Sequence, residues 1–77
     1  MPLELYSLRS CPHCADLRDE LEFQGQPFVE YDVEADAEAR RRLAGFVGES
    51  AMVPVLVEDG RVKAVGYGGR GCYVRPI

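Results

Sequence analysis

Along residues 3 to 8, "LELYSL", apolar and polar side chains alternate, and a period of two marks a strand. The pattern puts Leu3, Leu5 and Ser7 on one face. From Pro12 the period lengthens. Cys14, Leu17 and Leu21 recur at helical spacing, Pro12 suits a first helical position where its missing N–H costs nothing, and Gly25 supplies a stop. Residues 27 to 33, "PFVEYDV", are β-branched and aromatic and predict a second strand. Asp36 is placed to cap a second helix, with Ala39, Leu43, Phe46 and Val47 inward and Gly48 as its end. "VPVLVEDGRVKAVG" predicts a hairpin: Val55 to Val57 run out, Asp59-Gly60 turn as type I′, and Arg61 to Val65 return.

The predicted order is β-α-β-α-β-β. Two strands joined through a helix lie parallel with a right-handed crossover, and helices packed on such a sheet make an α/β fold. The final "GYGGRGCYVRPI" holds four glycines in six residues (Gly66, Gly68, Gly69, Gly71) and no helical period. It predicts an ordered turn and an extended tail in place of a final helix. With no repeat, low-complexity stretch or linker, residues 1–77 read as a single domain.

Composition narrows the partners. The 77 residues are 47% hydrophobic and 29% charged, ordinary for a small globular domain. The net charge of −4 argues against a nucleic-acid or anionic-membrane surface, which would need clustered Lys and Arg. The one basic run, Arg40-Arg41-Arg42, follows an acidic stretch and reads as a solvated helix face with an i,i+4 pair of Glu38 and Arg42. "MPLELYSLRS" has neither a basic n-region nor an apolar h-region, and no segment reaches 18 apolar residues. The expectation is a monomer in the cytoplasm, with no nucleic-acid or membrane partner. There, a cysteine pair is more often catalytic or metal-binding than structural. Three cysteines is an odd number, so a disulfide framework does not fit.

The chemistry gathers at "CPHC", residues 11 to 14. Cys11 falls where the first strand gives way to the first helix, at the positive end of the helix dipole and among unpaired N–H groups. Both favour the thiolate, which is the nucleophile. Cys14, one turn on and on the Leu17 and Leu21 face, is expected to be the more buried, resolving thiol behind an exposed attacking one. Pro12 stiffens the loop, and His13, when protonated, would add positive charge beside Cys11 and lower its pKa. Other readings of the same thiols stay open. A structural zinc site needs four ligands, usually from two paired motifs, and here there is one pair with a single His inside it. A c-type haem needs His after the second Cys, where Ala15 stands. An iron–sulfur cluster bridging a dimer, or two inert core thiols, are further alternatives.

Taken together, "CPHC" after the first strand, "MVPVLVEDG" through the hairpin and "GYGG" after it resemble the glutaredoxin-like branch of the thioredoxin fold, over about residues 3 to 69. The resemblance implies a thiol–disulfide oxidoreductase with Cys11 and Cys14 catalytic. It also implies a cis Val53–Pro54 peptide facing the pair, with Val53 offering its backbone N–H and C=O to an antiparallel thiol peptide. Gly68 and Gly69 would lie near the active loop, and Arg9 and Arg70 are candidates for holding an anionic end of a thiol substrate. The implied partner is a disulfide-containing small molecule or protein. No cofactor or metal is required beyond an electron source, with glutathione or a flavin-dependent reductase as candidates. Departures are clear. Met52 stands where the family usually has threonine, Leu8 where glutaredoxins commonly have lysine, and "RGCYVRPI" replaces the acidic pair and final helix that help hold glutathione. The short length and "GRGC" ending are similar to a small glutaredoxin-like group whose first Cys position can be selenocysteine. Cys72 is expected to be a packed or idle thiol, with a third redox partner to Cys11 as the alternative.

Overall fold

The computed structural model describes residues 3–48 and 52–74. The six predicted elements appear in order, with two short strands, β3 and β6, added: β1 (Leu3–Ser7), α1 (Pro12–Phe23), β2 (Phe28–Asp32), α2 (Ala37–Val47), β3 (Met52–Val53), β4 (Val55–Glu58), β5 (Arg61–Val65) and β6 (Cys72–Tyr73). The main sheet runs β2-β1-β4-β5. β1 pairs parallel with β2, setting Leu5 opposite Glu30, and antiparallel with β4, setting Leu5 opposite Leu56. The parallel pair is what a helical crossover demands, and the β4–β5 hairpin is what the Asp59-Gly60 turn demands. Both turn residues have positive φ, 53° and 76°, as a type I′ turn requires.

Leu3, Leu5 and Ser7 are buried on β1, as their shared face predicts. Leu3 and Leu5 pack with Leu17 and Leu21 of α1 and with Leu56, while Tyr6 from the opposite face is fully buried with Leu43 and Ala39 of α2, Val33, Val55 and Val57. The alternation is real, but both faces are covered. Tyr6 tolerates this because its ring stacks on Tyr31 at 5.4 Å and meets Phe46 at 6.1 Å, and its hydroxyl donates to Glu4 Oε1 at 3.1 Å. Burial, reinforced by that hydrogen bond, pushes the Tyr6 hydroxyl up to about 12. A polar tip with a partner lets an aromatic body contribute its full apolar area.

Helix ends follow local chemistry. The Asp36 carboxylate accepts from the N–H groups of Glu38 and Ala39 at 3.0 and 3.2 Å, satisfying two donors that the first turn leaves unpaired. α1 ends at Phe23, with Gln24 as its cap and Gly25 directly after it. The expected Glu38–Arg42 pair does not form. Glu38 takes Arg41 at 2.6 Å, and Arg42 instead lies 4.6 Å from the Tyr31 ring centroid, a cation–π contact on the sheet side of α2.

The tail holds the other departure. Gly68 and Gly69 form a tight reversal in which Tyr67 and Arg70 exchange backbone hydrogen bonds of 2.7 and 3.1 Å. The returning chain is not merely extended: β6 pairs antiparallel with β3 in a second, two-stranded sheet. Residues 75–77 of the expected tail lie outside the described residues. Among the described residues, no helix is long and apolar enough to cross a membrane.

Candidate active site

β1 ends at Ser7, and Leu8, buried, leads into a turn at Arg9 and Ser10. The Cys11 N–H donates back to the Leu8 carbonyl at 3.2 Å, which fixes Cys11 in extended conformation (φ −88°, ψ 114°) as the N-cap of α1. Pro12 occupies the first helical position, so the backbone starts the helix with one fewer donor to satisfy. The Cys11 side chain therefore stands at the N-terminal end of a 12-residue helix, where the dipole and free N–H groups stabilise negative charge on sulfur.

Cys11 is not exposed. Its accessibility is 2%, because its sulfur is joined to Cys72 in a disulfide spanning Cα atoms 6.0 Å apart. The expectation of an exposed attacking thiol is thus corrected for this state, and so is that of a packed or idle Cys72. The cause is the Gly68-Gly69 reversal, which returns the chain along β3 and sets Cys72 opposite Val53. Cys14 carries the free thiol and is fully buried. Burial pushes that thiol up, against the lowering effect of a backbone hydrogen bond from Leu8, so Cys14 holds its proton more tightly than an ordinary cysteine.

The Val53–Pro54 peptide is cis, and Val53 belongs to the same buried cluster as Cys11 and Cys14, with Cys72 packed against it. The fold thus brings together Cys11, Cys14, Val53 and Cys72, with Pro54 also fully buried. His13 sits half-buried on the first turn of α1. Gly68, Gly69 and Arg70 are exposed at the reversal, outside that cluster. Arg9 is exposed and lines a shallow open depression with Ser7, Arg18, Glu30 and Asp32. Among the described residues no group of three or more His, Cys, Asp or Glu is gathered as a metal-ligand set.

Two features escaped sequence reasoning. The first is a network below the cysteine loop. Arg18 donates to both oxygens of Glu30 at 2.6 and 2.5 Å, and Ser7 donates to the same carboxylate at 2.7 Å. The Arg18 guanidinium holds the Glu30 carboxyl below its usual range, and Glu30 in turn raises Arg18. The available signal was the parallel pairing itself, which sets Ser7 and Glu30 on neighbouring strands with α1 above. The second is Gly71. A Cβ there would run into the Val53 carbonyl and come within 2.7 Å of Met52 Cγ. Met52, the departure from threonine, is the side chain that fills the space beside this glycine.

A sheet with β1 near its centre, a helix opened by a cysteine and a buried cis-proline directly after Val53 of the cysteine cluster define the thioredoxin fold. The chain belongs to the glutaredoxin family, whose model, described as Glutaredoxin, matches residues 3–63. Among solved structures, the thioredoxin-like protein BC3987 is 35% identical over 80% of this chain and 84% of that one, with a TM-score of 0.72. A single-residue mutant of that same protein gives 34% identity over 84% and 81%, with a TM-score of 0.75. A glutaredoxin (grx-1) from Archaeoglobus fulgidus is 24% identical over 86% of this chain and 75% of that one, with a TM-score of 0.69, a likeness of fold alone. No curated protein matches the sequence. Family and fold together support a function of the thiol–disulfide oxidoreductase type. Cys72 lies beyond the residues that the family model matches.

Proposed function

We propose that the protein exchanges disulfides through the "CPHC" pair, with Cys11 as nucleophile and Cys14 as resolving thiol. The observation that carries this reading is the position of Cys11, the N-cap of α1 with its sulfur already engaged in a disulfide beside Val53. In the reduced protein the Cys11 thiolate attacks one sulfur of a substrate disulfide, forming a mixed disulfide and releasing the other sulfur as thiolate. Cys14 then gives up its proton and attacks Cys11 Sγ. The Cys11–Cys14 bond forms, and the substrate leaves with both its sulfurs reduced. The raised pKa of Cys14 suits this order, since a thiol that stays protonated does not compete for the incoming disulfide.

Val53 and Pro54 position the partner strand, Pro12 and His13 tune the loop, and Arg9 and Arg70 supply charge at the rim. The electron source is an external thiol such as glutathione, or a flavin-dependent reductase, in the cytoplasm. The test uses reduced protein with iodoacetamide at neutral pH and, separately, with cystamine as a model disulfide. Cys11 is expected to alkylate before Cys14 and faster than free cysteine, and Cys11→Ser to abolish cystamine turnover. A Cys11 no more reactive than free cysteine, with turnover surviving in Cys11→Ser, overturns the assignment.

A further inference from the structure

The edge of β3 is already occupied. Residues Cys72 and Tyr73 lie antiparallel on Met52 and Val53, with Cys72 opposite Val53 and its sulfur on Cys11. A substrate held for exchange would have that same form: an extended strand on Val53, with its cysteine joined to the nucleophile. Three features of this chain build the arrangement. The Gly68-Gly69 reversal aims the chain back along β3. Gly71 allows close approach, because any Cβ there would collide with the Val53 carbonyl and with Met52. Cys72 supplies the sulfur, 61 residues from its partner in sequence.

We propose that residues 71–73 are a resident substrate that closes the site in the oxidised protein, and that Cys14 reopens it. The proposal rests on the reading of Cys11 as nucleophile and adds a regulator to it. Cys14 loses its proton and attacks Cys11 Sγ, so the Cys11–Cys14 bond forms and the Cys11–Cys72 bond breaks. Cys72 departs as thiolate and takes up a proton. One disulfide becomes another, no electron enters or leaves, and no outside oxidant or reductant is consumed. Burial of Cys14, which keeps it protonated, slows this attack, so the closed form once made is left slowly. Once Cys72 is released, a two-residue strand pairing and the buried side chain of Val74 hold the segment. That is too little to persist alone, and the Val53 edge opens to an external partner.

The experiment maps the disulfide of the oxidised protein by acid-quenched proteolysis and mass spectrometry. It then follows mixed-disulfide formation at Cys11 with the reduced peptide acetyl-Gly-Cys-Tyr-amide. Oxidised wild type is expected to carry the Cys11–Cys72 bond. Gly71→Ala keeps all three thiols but expels the segment, and Cys72→Ser removes its sulfur. Both are expected to carry Cys11–Cys14 and to react about tenfold faster, the gain if about nine-tenths of wild-type molecules are closed. A Cys11–Cys14 bond in oxidised wild type, or equal peptide rates in all three proteins, overturns the resident-substrate proposal and leaves the nucleophile assignment standing. No mixed disulfide at Cys11 in any of them, Cys72→Ser included, overturns the nucleophile assignment and this proposal with it.

Discussion

Replacing Glu30 by Gln keeps the side chain's shape and removes its charge, and so isolates the network beneath the cysteine loop. In the native fold the carboxylate accepts two bonds from Arg18 and one from Ser7. Hydrogen bonds to charged groups contribute about 1.5–3 kcal/mol each when shielded. The two side chains stay 31% and 27% accessible, so solvent screening brings the whole network down to about 1–2 kcal/mol. For a domain of this size that corresponds to a melting point lower by about 4–16 °C. The pH dependence has a definite sign. Glu30 is held below its ordinary value of 4.5 in the fold, so its contribution is complete above that pH and is lost as pH falls through the depressed folded value. Glu30→Gln and wild type should therefore differ most near neutral pH and converge in strong acid, once the pH is below the depressed folded value. Urea denaturation followed by circular dichroism, with the redox state fixed throughout so that disulfides do not reshuffle, reads both quantities. A gap of the same size at both pH values would refute the reasoning, because a neutral carboxyl would then be serving as well as a charged one.

Leu43→Ala removes a side chain with 1% accessibility from the face of α2 that meets Tyr6, and should cost about 2–5 kcal/mol. In so small a domain that is enough to leave much of the protein unfolded in a urea titration, and a loss under about 1 kcal/mol would contradict the packing of α2 described above. Asp36→Ala should cost about 1 kcal/mol through two uncapped N–H groups, while Asp36→Asn should cost little because the amide oxygen accepts the same bonds. Thermal unfolding of the two variants side by side checks it.

The elements governed by local chemistry were legible in the sequence. The Asp36 cap, the Asp59-Gly60 turn, and the Cys14, Leu17 and Leu21 stripe are decided by residues a few positions apart, and each stands where the pattern put it. The cis peptide at Pro54 was legible only through resemblance, since nothing local compels it. What escaped was long-range. Tyr6 reads as a polar, outward position until α2 and Tyr31 arrive to cover it. Arg42 reads as an ion-pair partner until the Tyr31 ring offers a better surface. The β3–β6 ladder is two residues long and joins segments about twenty apart, leaving no periodic trace. For the site, the Cys11 position followed from the strand-to-helix junction. The partner of its sulfur did not, because the path of a glycine-rich tail is set by tertiary collisions such as the one at Gly71.

The link between Cys11 and Cys72 also turns most of the molecule into one covalent ring of 61 residues' separation. Closing a loop of that length strips the unfolded chain of conformational freedom equivalent to about 4 kcal/mol, a large share of what holds a domain this small together. Surrounding thiols would then govern durability as well as chemistry. With reductant in excess the chain would melt at a distinctly lower temperature, and loss of the ring would make it easier prey for proteases.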